Sequence, residues 1–203
     1  MIIKVCGMRD AENIRAADKL KIQMMGFIFY PESSRYIKLH PSYMPEHAHR
    51  VGVFVDAQID NILRIAAEYE LSYIQLHGNE SPSICRQLSE NGFGVIKAFS
   101  VSSADDLKAC TRYEGCCAFF LFDTKTPLYG GSGKSFDWSI LQHYNGETPF
   151  LLSGGIAPED IERLKNFSHI RWAGIDLNSR FETEPGYKNI ALLNNFVNQI
   201  NNI

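Results

Sequence analysis

The chain has 203 residues, 45% hydrophobic and 21% charged, an ordinary globular composition with enough apolar mass for a sizeable core. A formal net charge of −3 and a pI near 6.1 exclude a broad cationic surface, so neither nucleic acid nor an anionic membrane is an expected partner. An anionic ligand therefore has to be met by a local site.

No segment approaches the roughly 20 apolar residues of a membrane helix. Met1-Ile2-Ile3-Lys4-Val5 runs straight into strand-like sequence with no basic region before it, so no signal peptide is expected. The five cysteines (Cys6, Cys85, Cys110, Cys116, Cys117) show no CxxC or His-rich zinc spacing. They read as reduced thiols of a cytoplasmic protein.

Short β-branched runs alternate with helical stretches, the pattern of βα units around a parallel sheet. Strand Ile2–Val5 precedes a helix over Ala11–Lys21, with Asp10 as its N-cap. Strands Met24–Phe29 and Arg50–Val55 follow, separated by a weaker helical window at Pro41–His49. Helix Ile59–Tyr69, strand Tyr73–Leu76 and helix Pro82–Asn91 come next, the last capped by Ser81. Strand Gly94–Ala98, helix Ser103–Tyr113 and strand Ala118–Phe122 lead to a second weak window at Phe136–His143. Strand Pro149–Leu152, helix Pro158–Asn166, strand Arg171–Gly174 and helix Ile190–Ile200 complete the chain. Eight strands joined by connections long enough for a crossover helix predict an α/β fold, one (β/α)8 barrel over residues 1–203.

Each strand is followed at once by polar or glycine-rich residues, and in a barrel these crowd around one rim, where active sites sit. Ser153-Gly154-Gly155 after strand seven either bares backbone N–H groups to a phosphate or makes a tight turn. Asp176-Leu177-Asn178-Ser179-Arg180 after strand eight offers further amides, a hydroxyl and a guanidinium. Asp123 ends strand six and opens a glycine-rich stretch through Lys134, which has the wrong spacing for a Walker motif and reads as a lid.

Cys6 ends strand one, as a buried small hydrophobe or, facing Asp123, as the base of an acid–base pair. Arg35 after strand two suits a planar carboxylate or simply solvent, and His77 after strand four orients its neighbours or caps the strand. His47 and His49 would not share a helix face, so no metal site is expected there.

Seven stretches, in order, resemble the phosphoribosylanthranilate isomerase family. They are Lys4-Val5-Cys6-Gly7-Met8-Arg9, Gly26-Phe27-Ile28-Phe29-Tyr30 with Ser33-Ser34-Arg35-Tyr36, and Val51-Gly52-Val53-Phe54-Val55. Gln75-Leu76-His77-Gly78-Asn79-Glu80, Phe122-Asp123-Thr124, Gly130 through Trp138, and Leu152-Ser153-Gly154-Gly155-Ile156 follow.

The resemblance implies an Amadori rearrangement of N-(5-phosphoribosyl)anthranilate, with Asp123 as general acid and Cys6 as general base. It implies Arg35 on the anthranilate carboxylate, with amides around Gly154, Gly155, Asn178 and Ser179 on the phosphate. His77 and Asp176 are further substrate-site residues, and the Gly130–Gly133 loop is a closing lid. No cofactor is implied, since the protonated imine is its own electron sink. A small phosphorylated substrate is the expected partner, to a monomer or homodimer. Cys6 would need local activation to act as a base near neutrality, and Asp123 would need burial to hold its proton. Arg180 departs from the family's usual glycine. A barrel synthase with a catalytic lysine at a strand end, or a sugar isomerase with aspartates ending strands one and five, is the alternative, as is a non-catalytic phosphate-binding barrel.

Overall fold

A computed structural model describes residues 1–124 and 137–201. Eight parallel strands close into a barrel in chain order: β1 (Ile2–Val5), β2 (Met24–Ile28), β3 (His49–Phe54), β4 (Tyr73–Leu76), β5 (Gly94–Val101), β6 (Phe119–Thr124), β7 (Phe150–Leu152) and β8 (Trp172–Leu177). Helices α1 (Ala11–Asp18), α2 (Ile59–Glu68), α3 (Pro82–Glu90), α4 (Ile161–Lys165) and α5 (Ile190–Ile200) lie between and after them. The barrel closes where β1 pairs with β8, Lys4 opposite Asp176.

Side chains alternate along each strand, so half face the lumen and half face the helices. Met24, Val51, Ile96, Ala98, Leu121 and Leu151 form an apolar plug in the lumen, joined by Ile2, Tyr73, Phe119 and Ala173. The outward residues, among them Ile3, Val5, Phe27, Ile74, Phe120, Phe122 and Leu152, pack with Ile14, Ile62, Leu88, Leu193 and Phe196 of the helices. The same alternation, carried to the C-terminal ends, puts Cys6, His77, Asp123, Ser153 and Asp176 on the lumen side above the plug. On β8 the pairing steps from Trp172 to Gly174 across consecutive β7 residues, and the extra residue sets the alternation that turns Asp176 inward.

Two expected helices are wound differently. Ala104–Tyr113 and Trp138–His143 are 3-10 helices. Their buried residues, Leu107 and Cys110 in one and Trp138 and Leu141 in the other, recur every third position, the period of that tighter helix. Pro158–Asp160 is a 3-10 turn that leads into α4. Pro41–His49 forms no helix. The Asp18 carboxylate accepts from the backbone N–H groups of Glu46 (2.8 Å) and Ala48 (3.1 Å) and from the Tyr43 hydroxyl (3.0 Å), so a side chain supplies the partners that a helix would have given. The hydrogen bonds hold Asp18 below the usual carboxylate range, although burial alone would raise it.

Asp10 caps α1 as expected, accepting from Asn13 N at 2.8 Å. Unforeseen were a 3-10 turn at Ser179–Phe181 and a small hairpin, β9 (Glu182–Glu184) with β10 (Tyr187–Lys188). Cys85, Cys110 and Cys116 are buried and Cys117 half-buried, all as free thiols.

Lys97 of β5 is 2% exposed. Its ammonium donates to the carbonyls of Leu76 (3.2 Å), Gly78 (2.7 Å) and Ala98 (3.1 Å) and to Glu80 Oε2 (3.2 Å). Glu80 in turn accepts from the N–H groups of Asp56 (2.9 Å) and Gly78 (3.0 Å). An ammonium so fully engaged is a structural tie that fixes the β3, β4 and β5 loops. Glu80→Gln strands that buried charge and is expected to destabilise the fold by about 3–5 kcal/mol. Urea denaturation would read this as a lowered midpoint with an unchanged slope.

Candidate active site

Cys6 follows β1 and is 4% exposed. Its N–H donates to Leu177 O at 2.9 Å, which keeps the β1–β8 seam closed at the rim. Gly26 of β2 makes room for the thiol: a Cβ there would lie 2.7 Å from Cys6 Sγ. One β-pleat below Cys6, on the same face of β1, stands Lys4, with no exposed surface. Lys4 Nζ donates to Asp176 Oδ1 at 2.8 Å, and Ser153 Oγ donates to Asp176 Oδ2 at 3.4 Å. Burial alone would lower Lys4, but the charges of Asp176 and Cys6 hold it above the usual lysine value, so it is an ammonium. Burial pushes the Cys6 thiol up; Lys4 opposes this, Asp176 adds to it, and the net direction is upward. At rest the thiol is protonated.

Across the mouth, Asp123 is 8% exposed. Its Oδ1 accepts from Thr124 N at 2.8 Å, and its Oδ2 lies 3.4 Å from His77 Nε2. His77 Nδ1 is 3.1 Å from Gln75 Nε2. Gln75, His77 and Asp123 thus stand in a polar row from the lumen to the rim. Among the described residues Gln75 Oε1 has no partner.

Arg35 lies at the rim with its guanidinium gripped edge-on by Glu182. Arg35 Nε donates to Oε1 (2.9 Å) and Oε2 (3.0 Å), and Nη2 donates to Oε2 at 2.6 Å. Nη1 has no hydrogen-bond partner among the described residues. The buried Lys188 donates to Glu182 Oε1 (2.6 Å) and to Asn178 Oδ1 (2.8 Å). Burial alone would raise Glu182, and the bonds and charges of Arg35 and Lys188 reverse that, so its carboxyl sits below the usual range.

Asn178 spends its side-chain oxygen on Lys188. Gly154 and Gly155 have φ of +86° and +71°, a backbone that L side chains rarely adopt and that turns successive N–H groups to one side. Ser179 begins the 3-10 turn after β8, and Arg180 is exposed. The expected lid, Gly130–Gly133, lies outside the described residues.

The rim therefore gathers Cys6, Arg35, His77, Asp123, Gly154, Gly155, Asp176, Asn178 and Ser179 from six different strand ends. Sequence reasoning passed over Lys4, Gln75, Glu182 and Lys188. The signal for Lys4 was present, since a lysine two residues from an inward cysteine must also face the lumen.

A family model described as N-(5'-phosphoribosyl)anthranilate (PRA) isomerase matches residues 3–199. Over 200 residues the chain is 54% identical to an N-(5'-phosphoribosyl)anthranilate isomerase of Phocaeicola vulgatus, covering 98% of both chains. A crystal structure of phosphoribosyl anthranilate isomerase from Thermotoga maritima superposes with a TM-score of 0.84 at 33% identity, covering 100% of both chains. A crystal structure of a phosphoribosyl anthranilate isomerase in complex with reduced 1-(o-carboxyphenylamino)-1-deoxyribulose 5-phosphate superposes with a TM-score of 0.83 at 30% identity over 100% of both chains. With its fold, its rim and these relatives in agreement, the chain belongs to the N-(5'-phosphoribosyl)anthranilate isomerase family, the isomerases of tryptophan biosynthesis.

Proposed function

We propose that the chain converts N-(5-phosphoribosyl)anthranilate into 1-(2-carboxyphenylamino)-1-deoxy-D-ribulose 5-phosphate, with Asp123 as general acid and Cys6 as general base. The observation that carries the assignment is the pair itself: two buried proton-transfer groups on opposite sides of one barrel mouth, each backed by its own polar partner. Asp123 gives its proton to the ring oxygen as the C1–O bond breaks, and the nitrogen lone pair forms the C=N bond of a cationic imine. His77 steadies the carboxylate that remains. Cys6, as thiolate, takes the proton from C2. The C–H electron pair becomes the C1–C2 double bond, and the imine electrons return to nitrogen. The enolamine then relaxes to the ketone, and proton exchange with solvent resets the two side chains.

Binding follows from the same rim. Arg35 holds the anthranilate carboxylate through its open Nη1 corner, and Glu182 fixes the guanidinium plane. The amides of Gly154, Gly155, Asn178 and Ser179 hold the phosphate, and Asp176 sets the loop after β8. Between these anchors the reacting carbons lie over the lumen. Cytoplasmic location agrees with this role. No helix among the described residues is long and apolar enough to cross a membrane.

With substrate generated in situ, loss of its anthranilate-like fluorescence reads the reaction. Wild type is expected to be active, and Cys6→Ala and Asp123→Asn to fall by about 10²-fold or more; an inactive wild type that still binds a substrate analogue would overturn the assignment. Arg35→Lys is expected to raise KM by roughly 10- to 100-fold with a smaller change in kcat, since a single ammonium cannot keep both the Glu182 grip and a separate corner for the carboxylate, in ground and transition states alike. The pH dependence has a definite sign. Because Cys6 is raised, its thiolate fraction grows only on the alkaline side of neutrality, so kcat is expected to climb with pH there and to lose that climb in Cys6→Ala.

A further inference from the structure

A buried thiol is a poor base unless something stabilises its conjugate anion, and burial makes that anion costly. The groups that surround Cys6 are few. Gly26 on β2 brings no side chain. Ser153 after β7 is committed to Asp176. Lys188 on β10 and Arg35 after β2 are cations, but both are tied to Glu182, which offsets much of their charge. That leaves Lys4 and Asp176, the pair that closes the barrel between β1 and β8.

We propose that Lys4 is a positioning residue for proton abstraction: its buried ammonium is the fixed counter-charge of the Cys6 thiolate, and Asp176 holds it in place and moderates its strength. The inference rests on Cys6 being the base.

Three observations carry it. Lys4 and Cys6 share one face of β1, so the ammonium projects into the lumen directly beneath the thiol. Lys4 has no exposed surface and Asp176 is 7% exposed, so water screens neither charge. And Lys4 faces the same lumen as an apolar plug of Met24, Val51, Ile96, Ala98, Leu121 and Leu151, where packing alone calls for no charge.

The two partners act on Cys6 in opposite senses. Lys4 favours the thiolate and Asp176 disfavours it, so the ion pair sets the proton affinity of the base between two extremes. Lys4 itself does not exchange the proton. Its ammonium form is held by Asp176, and the proton that Cys6 takes from C2 stays on sulfur until solvent removes it.

The pH dependence of kcat in three folded variants tests this. Lys4→Met removes the counter-charge, and the alkaline-side rise should move to higher pH by about one unit or more. At neutral pH this is a loss of roughly tenfold that high pH recovers. Asp176→Asn removes the opposing charge and should move the rise to lower pH. The double variant Lys4→Met/Asp176→Asn leaves no unpaired buried charge, so it keeps the test open if Lys4→Met alone fails to fold; its rise should lie above that of Asp176→Asn. A residue that only fills space would lower activity equally at all pH values.

A rise that stays where wild type has it in Lys4→Met or, failing that, coincides for the double variant and Asp176→Asn overturns the proposal. Cys6→Ala separates the two levels. If it abolishes the reaction while the Lys4 variants leave the profile in place, only the role of Lys4 falls. If Cys6→Ala retains activity, the base is another group and the reading beneath the proposal falls with it.

Discussion

A closed eight-stranded barrel has a narrow lumen, and strand alternation admits every second side chain to it and no others. The side chains that point into the mouth from the barrel strands are placed by that rule. The lower lumen is plugged by Met24, Val51, Ile96, Leu121 and Leu151, so polar side chains that face inward above the plug have nowhere to go but upward or into one another. Lys4 and Asp176 meet across the seam, Gln75 meets His77, and His77 meets Asp123. The apolar floor makes these contacts strong, because no water competes for the donors from below.

Charge balance is the second constraint. The rim holds the cations Lys4, Arg35 and Lys188 and the anions Asp176 and Glu182 in direct contact. Buried charges persist only when paired, and here each pairing also aims a side chain. Asp176 keeps Lys4 upright in the lumen, and Glu182 presents the guanidinium of Arg35 with one corner outward. Lys97, equally buried, illustrates the opposite case: its four oxygen partners leave it nothing to do but tie loops together.

The barrel was readable from the sequence because its strands are short β-branched runs that end in turn chemistry, and all eight lie where those runs predict. The helical layer was less so. The 104–113 and 138–143 segments bury every third residue, a period too close to 3.6 to be told apart over two turns. The 41–49 loop is ordered by Asp18, about thirty positions away, and no local pattern records such a bond. At the rim, Cys6, Arg35, His77, Asp123 and the glycine pair were visible as polar residues at strand ends. The partners that tune them were hidden for the same physical reason as Asp18. Lys4 finds Asp176 across 172 residues and Arg35 finds Glu182 across 147, and the hairpin that carries Glu182 and Lys188 is too short for periodicity to announce it.

The sharing of Glu182 between Arg35 and Lys188 bears on how the ligand leaves. A guanidinium with no partner would hold a carboxylate hard, and the carboxylate is the one charged group besides the phosphate that an Amadori rearrangement leaves untouched. Grip on such a spectator is equal before and after the reaction, so it lengthens the stay of product as much as that of substrate. On the proposed assignment, Glu182 would trade dwell time for orientation: the ring would be aligned by the plane of the guanidinium and released readily, because Glu182 already takes up part of its charge.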